Sequence, residues 1–180
     1  MCIRDRAYYL DGKRLVYSSG TIGQEGAVYY PESDPFTKVI VHGTYTTSTA
    51  NTWFEVQSST GQICYYGNTT GARQSYTAGN SPRIYAWYLD YVEDSLGNYM
   101  NYTYNKWSYC MYPNTIMYGN NKNGSTGLQN TVTFSYETRS NDPQLFVIEG
   151  VKGTMDRRLK TITSKTGSSV YRVYDLQYNT

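Results

Sequence analysis

His42 is the only histidine in the 180 residues, and it sits in an apolar run beside Gly43. Any Ser-His-Asp or Cys-His relay would therefore have to be built on that one side chain. A strand histidine with a satisfied or solvated ring is the plainer reading. The densest carboxylate group is Asp90, Glu93 and Asp94, which lacks the alternating oxygen ligands of an EF-hand loop and reads as a solvated turn. Paired acids for glycoside hydrolysis must face each other across a cleft, which spacing along the chain does not establish. Gly20, Gly23 and Gly26 repeat as G-x-x-G-x-x-G, but no Lys-Ser/Thr follows and no helix opens, so they space a loop rather than a phosphate cradle. Cys2, Cys64 and Cys110 are too few and too irregular for a disulfide framework or a zinc site. Cys64 and Cys110 read as small buried hydrophobes in preference to a bridged pair. The sequence thus calls for no cofactor, metal or catalytic residue.

The stretch that must position everything else is Trp87 to Tyr104. Two aromatic, β-branched runs flank a polar insert holding Asp94, Gly97 and Asn98, the composition of two strands joined by a turn. By the period of two, Trp87, Leu89 and Tyr91 share one face of the first arm, and Met100, Tyr102 and Tyr104 one face of the second. Asp94 is suited to accept backbone N–H groups, and Gly97 to take a positive φ.

Composition agrees with a β-rich domain. The chain has 22 tyrosines and 16 glycines, with 39% hydrophobic and 17% charged residues, which suits pleated surfaces lined by amphipathic aromatics. One domain of ordinary size is expected. The net charge of +2 comes from 16 basic and 14 acidic residues spread along the chain, so there is no electrostatic footprint for nucleic acid or anionic lipid. No run approaches the ~20 apolar residues of a membrane-spanning helix. Met1 to Arg6 shares no pattern with the rest of the chain and reads as a non-native leader or assembly scar, leaving 7–180 as a single β-rich region cut at both ends.

Along the chain, Tyr8 to Val16 holds an Asp11-Gly12 turn between two strands, the strongest short hairpin signal. Trp53 to Val56 and Ile63 to Tyr66, around Ser59-Thr60-Gly61, make another hairpin. Lys38 to Tyr45 alternates as a strand, and Asn68 to Pro82 reads as a loop. Tyr109 to Tyr118 reads as a strand, and 120–125 as a polar tip. Thr131 to Glu137 alternates cleanly, with Val132, Phe134 and Tyr136 inward. Leu159 and Ile162 have opposite parity, so a bulge is expected there. All five prolines fall between apolar runs, as paired strands require. The terminal strands around Tyr8 and Tyr174 are expected to present unpaired edges. Exposed tyrosine and tryptophan on such a sheet could also stack on sugars or form a protein interface, but their recurrence at repeat-like positions argues for architecture.

Several of these elements carry a resemblance. Trp87-x-Leu89, Asp94-x-x-Gly97-Asn98 and Tyr102-x-Tyr104 resemble the YD repeats of Rhs proteins and, more closely, the SpvB-like N-terminal region of Tc-toxin B components. Leu10-Asp11-Gly12-x-Arg14-Leu15-Val16, Trp53 with Tyr66-Gly67, Phe134-x-Tyr136-Glu137-x-Arg139-x-x-Asp142 and Arg158-Leu159-x-x-Ile162 resemble further elements of that region, in the same order. Thr60 stands where the family commonly has Asp. The resemblance runs from about residue 8 to the end. It implies an all-β fold of consecutive antiparallel hairpins, forming part of a larger shell. It also implies a non-catalytic role in a secreted bacterial toxin, whose casing encloses a toxic C-terminal segment and docks onto a translocation pore. The partners implied are the rest of the toxin polypeptide and other toxin-complex subunits. On this reading Trp53, Gly67, Trp87, Asp94, Gly97, Asn98, Tyr102, Tyr104, Tyr136, Arg139 and Leu159 are structural positions. The rival reading is a cell-surface adhesin or carbohydrate-binding β module.

Overall fold

The computed structural model describes residues 1–4, 7–44, 51–78, 81–124, 127, 129–148 and 151–178. Among them the secondary structure is β-strand apart from a three-residue 3-10 turn at Thr70–Ala72, as the alternating patterns predict. The chain divides into two compact units, Met1–Gly97 and Asn98–Thr180.

In the first unit the strands are β1 (Cys2–Arg4), β2 (Ala7–Leu10), β3 (Lys13–Ser19), β4 (Val28–Pro31), β5 (Lys38–His42), β6 (Trp53–Gln57), β7 (Ile63–Tyr66), β8 (Arg73–Ala78), β9 (Ser81–Trp87) and β10 (Leu89–Glu93). They pair in the order β10-β7-β6-β5-β4-β3-β2-β1-β9-β8, with antiparallel ladders between consecutive hairpin arms. Asp11 and Gly12 take φ of +49° and +80°, the pair of positive values that matches a two-residue turn to strand twist. Val39, Val41, Phe54 and Val56 point inward from β5 and β6, with Val39, Val41 and Phe54 fully buried. Lys38, Ile40, His42, Trp53, Glu55 and Gln57 alternate with them on the opposite face. Leu10, Leu15, Tyr29, Ile84 and Trp87 close the core.

The second unit contains β11 (Asn98–Trp107), β12 (Cys110–Asn121), β13 (Asn130–Thr138), β14 (Gln144–Ile148), β15 (Val151–Met155), β16 (Arg157–Thr166) and β17 (Ser169–Asp175). Its sheet runs β17-β16-β13-β12-β11, and β14 pairs with β15 as a separate hairpin. The expected bulge is present: Ser135 faces Thr161 while Tyr136 faces Leu159, so Lys160 is the extra residue that reconciles the parity of Leu159 and Ile162. The alternation of β13 is weaker in burial than in sequence, since Val132, Phe134 and Tyr136 are half-buried like Thr131 and Thr133.

Four expectations need correction. Asn68 to Pro82 is not a loop but supplies the 3-10 turn and β8, where Ala72, Gln74 and Tyr76 are buried in alternation; its small polar residues hide a period-two pattern. Prolines also enter strands. Pro31 ends β4, Pro82 lies in β9 and Pro113 in β12, the last at a bulge where Tyr104 faces Pro113 and Thr103 faces Thr115, a place where a missing N–H is tolerated. Tyr8 is not on an edge, because β2 lies between β1 and β3 and Tyr8 packs edge-on against Tyr29, Phe54 and Trp87. Finally, Trp87 and Tyr91 do not share a face. Leu89 faces Tyr66 while Tyr91 faces Tyr65, so Asp90 is an extra residue that reverses the parity.

The two arms flanking Asp94 to Gly97 form long ladders with β7 and β12 respectively. In the turn, Asp94 Oδ1 accepts the Leu96 N–H at 2.9 Å and the Asp94 carbonyl accepts the Gly97 N–H at 3.0 Å. Gly97 has φ of +83°. We expect Gly97→Val to destabilise the chain more than Gly97→Ala, with the backbone term on the order of 1–3 kcal/mol; equal urea midpoints for wild type and the valine variant would contradict this.

Candidate functional site

The richest polar and aromatic constellation lies on the face of β5, β6, β7 and β10 that turns away from the core. Antiparallel register sets His42 opposite Trp53, Glu55 opposite Tyr65 and Tyr65 opposite Tyr91. The His42 ring stacks on Trp53 with centroids 4.1 Å apart and planes 17° apart. Trp53 meets Tyr65 edge-on at 5.1 Å, and Tyr65 stacks on Tyr91 at 4.9 Å and 18°. Carboxylates border the row: His42 Nδ1 lies 2.9 Å from Glu25 Oε1 and Nε2 lies 3.2 Å from Glu55 Oε2, and the Tyr91 hydroxyl donates to Glu93 Oε2 at 2.8 Å. Both ring nitrogens of His42 thus face carboxylates, and neither is placed against a hydroxyl or thiol nucleophile in these contacts.

At one end of the same unit a cleft encloses about 210 Å³ between the turns that follow β2, β4 and β6. Leu10, Pro31, Val56 and Tyr66 line it, and Asp11, Lys13 and Asp34 add charge. Asp34 is occupied by its own loop, accepting from the Phe36 N–H at 3.0 Å and the Thr37 hydroxyl at 2.6 Å. Cys64 also lines the cleft as a free thiol, and burial raises its pKa, which disfavours the thiolate needed for nucleophilic attack. Cys110, the buried thiol of β12, is likewise free.

A second constellation is structural. Trp87 is 1% exposed and donates from Nε1 to the Thr52 carbonyl at 2.6 Å. Gly67 has φ of +70°, and a Cβ there would lie 2.3 Å from Trp87 Cδ1, so this position needs glycine both for its conformation and for the approach of the indole. Arg73 donates from Nε to the Gly67 carbonyl and from Nη2 to the Asn68 carbonyl. Asp90 is 4% exposed; its Oδ2 accepts the Thr69 N–H, while its Oδ1 is buried without a hydrogen-bond partner. Burial holds the Asp90 carboxyl above the ordinary aspartate range, against the Thr69 N–H, which lowers it. The fold therefore binds this proton more tightly than the unfolded chain does. Stability from this group falls as pH rises from the unfolded to the folded pKa. We expect the stability of wild type relative to Asp90→Asn to decline over that acid interval, as read from urea midpoints; a difference independent of pH would contradict it.

In the second unit, Asn98 opens β11 and accepts the Asn121 side-chain amide at 3.0 Å. Tyr102 and Tyr104 face Ile116 and Pro113, and the Tyr102 hydroxyl reaches Met100 Sδ at 3.7 Å. Tyr136 donates to the Pro113 carbonyl at 2.7 Å and packs with Trp107 and Tyr112. Tyr112 is buried and its hydroxyl pKa is pushed up to about 12, chiefly by desolvation. Arg139 forms a two-pronged pair with Asp142 at 2.8 and 2.6 Å, and Leu159 lies across from Tyr136. The sequence positions Trp53, Gly67 and Trp87 thus fall in the first unit around its core and outer row, with Asp94 and Gly97 in its last turn, and the remainder in the second. Glu25, Glu55, Arg73 and Asp90 hold equally specific contacts that spacing alone did not single out.

The sequence matches the SpvB family, described as Salmonella virulence plasmid 65kDa B protein, over residues 25–151. No curated protein matches it by sequence. Among solved structures, the N-terminal domain of the effector SpvB from Salmonella typhimurium strain LT2 is similar with a TM-score of 0.64 and 15% identity, over 94% of this chain and 80% of that one. The TcdB2-TccC3 structure gives 0.71 and 16% over 94% of this chain, and the Photorhabdus luminescens Tc holotoxin pore gives 0.66 and 16% over 85%. The matches span only 12% and 10% of those two chains. At such identities the likeness is one of fold.

Proposed function

The chain belongs to the SpvB family, and on that premise we propose that it is a non-catalytic structural part of a secreted bacterial toxin. In this reading its hairpins form one stretch of a β-shell that encloses a toxic C-terminal segment and helps deliver it. Its partners are the rest of its own polypeptide and other subunits of a toxin complex. The observation that carries the reading is the sparse burial of the second unit. There β17 is exposed along its whole length, and Leu145 and Val147 of β14 are 80% and 64% exposed, which suits a sheet that gains its cover from neighbouring sheet. The carbohydrate-binding alternative draws less support from the outer row of the first unit, because one face of Trp53 is already stacked on His42 and one face of Tyr65 on Tyr91.

Limited proteolysis of the whole toxin polypeptide tests the shell. The C-terminal segment should resist protease in the intact protein and become labile when this region is deleted or its core broken at Trp87. Equal cleavage with and without an intact region would overturn the proposal, and retention on a glycan array would move weight to the binding module.

A further inference from the structure

His42 ends β5, and each of its ring nitrogens meets a carboxylate, Glu25 at 2.9 Å and Glu55 at 3.2 Å. A carboxylate only accepts, and a neutral imidazole carries one N–H and one lone pair. Neutral His42 can satisfy one of these oxygens and must turn a lone pair toward the other; the imidazolium donates to both. The flat stacking on Trp53 at 4.1 Å adds a π face, which attracts a cation.

The three groups come from three elements. Glu25 lies in the loop between β3 and β4, His42 on β5 and Glu55 on β6. The second Glu25 oxygen accepts the Gly43 N–H, so the same side chain ties the loop to the end of β5. Among the described residues, Glu25 from the loop and Glu55 from β6 are the titratable groups that face the ring; Trp53 and Gly43 bring no charge. Glu25 is the more solvated, with its side chain 62% exposed against 17% for Glu55, and Glu55 is further held by the Gln57 side-chain amide at 2.6 Å. Water therefore replaces a lost bond to Glu25 more readily than one to Glu55.

We infer that His42 is a proton-operated clasp. As the imidazolium it fastens the Thr21–Gly26 loop to the sheet through Glu25, and on losing its proton it keeps Glu55 and releases Glu25. The loop carries Ile22, 68% exposed, so the clasp governs how firmly this apolar side chain is presented. The Gly43 N–H chiefly holds the Glu25 carboxyl below the usual glutamate range, so Glu25 stays ionised well into acid. The Glu25 contribution is lost as pH falls through that lowered range. The clasp is closed when an imidazolium meets two ionised carboxylates. It stands independently of the shell reading.

Amide hydrogen exchange of the whole 180-residue chain tests it, with protection at Gly43 and in the loop measured relative to intrinsic rates from about pH 5 to pH 8. In wild type we expect protection to fall several-fold with rising pH. In His42→Gln and in Glu25→Gln it should stay flat, and the exposed position of Glu25 keeps the second variant informative should the first fail to fold. Flat protection in wild type, or a pH response that survives in either folded variant, would overturn the clasp.

Discussion

Trp87→Ala is expected to cost the first unit about 3–5 kcal/mol, read as a drop in its urea midpoint. The indole is 1% exposed and meets Phe54 at 4.9 Å and Tyr8 at 6.0 Å, both edge-on. Removing it leaves a cavity between those rings and strips the Thr52 carbonyl of its Nε1 donor, which adds a desolvation cost of about 1–3 kcal/mol where no water can enter. Trp87→Phe should keep most of the packing and lose mainly that bond. Trp53→Ala is the control: its ring is half-buried on the outer face, so its loss should cost distinctly less. Gly67 supplies an internal check. In wild type, Gly67→Ala drives a Cβ into the indole and holds alanine at a φ of +70°. In the Trp87→Ala background the indole clash is gone, leaving the backbone strain and a 3.1 Å approach to the Cβ of residue 87, so the two substitutions should be non-additive. Equal losses for Trp87→Ala and Trp53→Ala, or strict additivity with Gly67→Ala, would show that Trp87 does not hold this core together.

The all-β class and most hairpins were legible because they rest on local chemistry. Asp11-Gly12 dictates a two-residue turn, Asp94 and Gly97 dictate another, and the parity of Leu159 and Ile162 required a bulge that register between β13 and β16 confirms. What escaped sequence reading depends on distant partners. β8 looks like a loop because its inward residues are Gln74 and Tyr76 among threonines and serines, and only packing distinguishes them. The bulge at Asp90 reverses which face Tyr91 occupies, and nothing in the run Trp87 to Glu93 signals it before β7 is placed alongside. The burial of Tyr8 likewise requires β1 and β9 to flank β2 and bring Trp87 across. At the outer row the same limit holds. Trp53 stood out by type, but Glu25 and Glu55 lie 17 and 13 residues from His42, and only the β5–β6 register and the fold of the preceding loop bring them to the two ring nitrogens.

Self-association through β17 is the second large expected effect. Among the described residues this strand lies at the end of the second unit's sheet and pairs with β16 alone, so one side of it offers backbone N–H and C=O groups to a further strand. Val170, Tyr171, Val173 and Tyr174 are 55%, 76%, 50% and 51% exposed. Arg172 and Asp175 are its only charges, it contains no proline, and Arg172 turns toward its own neighbours, donating to the Tyr174 hydroxyl at 3.2 Å. One feature blunts the edge. Ser164 faces Arg172 while Lys165 faces Val170, so Tyr171 is bulged out and the regular template is the stretch from Arg172 to Asp175. A lysine in that stretch should interrupt pairing, whereas one at the bulge should matter less. Light scattering of the 180-residue chain is therefore expected to show a mass that climbs with concentration. Val173→Lys should hold it near the monomer mass, and Tyr171→Lys should suppress association only partly. A wild-type chain that stays monomeric at high concentration, or a Val173→Lys variant that associates as strongly as wild type, would remove β17 as the joining edge and weaken the proposal that this sheet is completed by neighbouring shell.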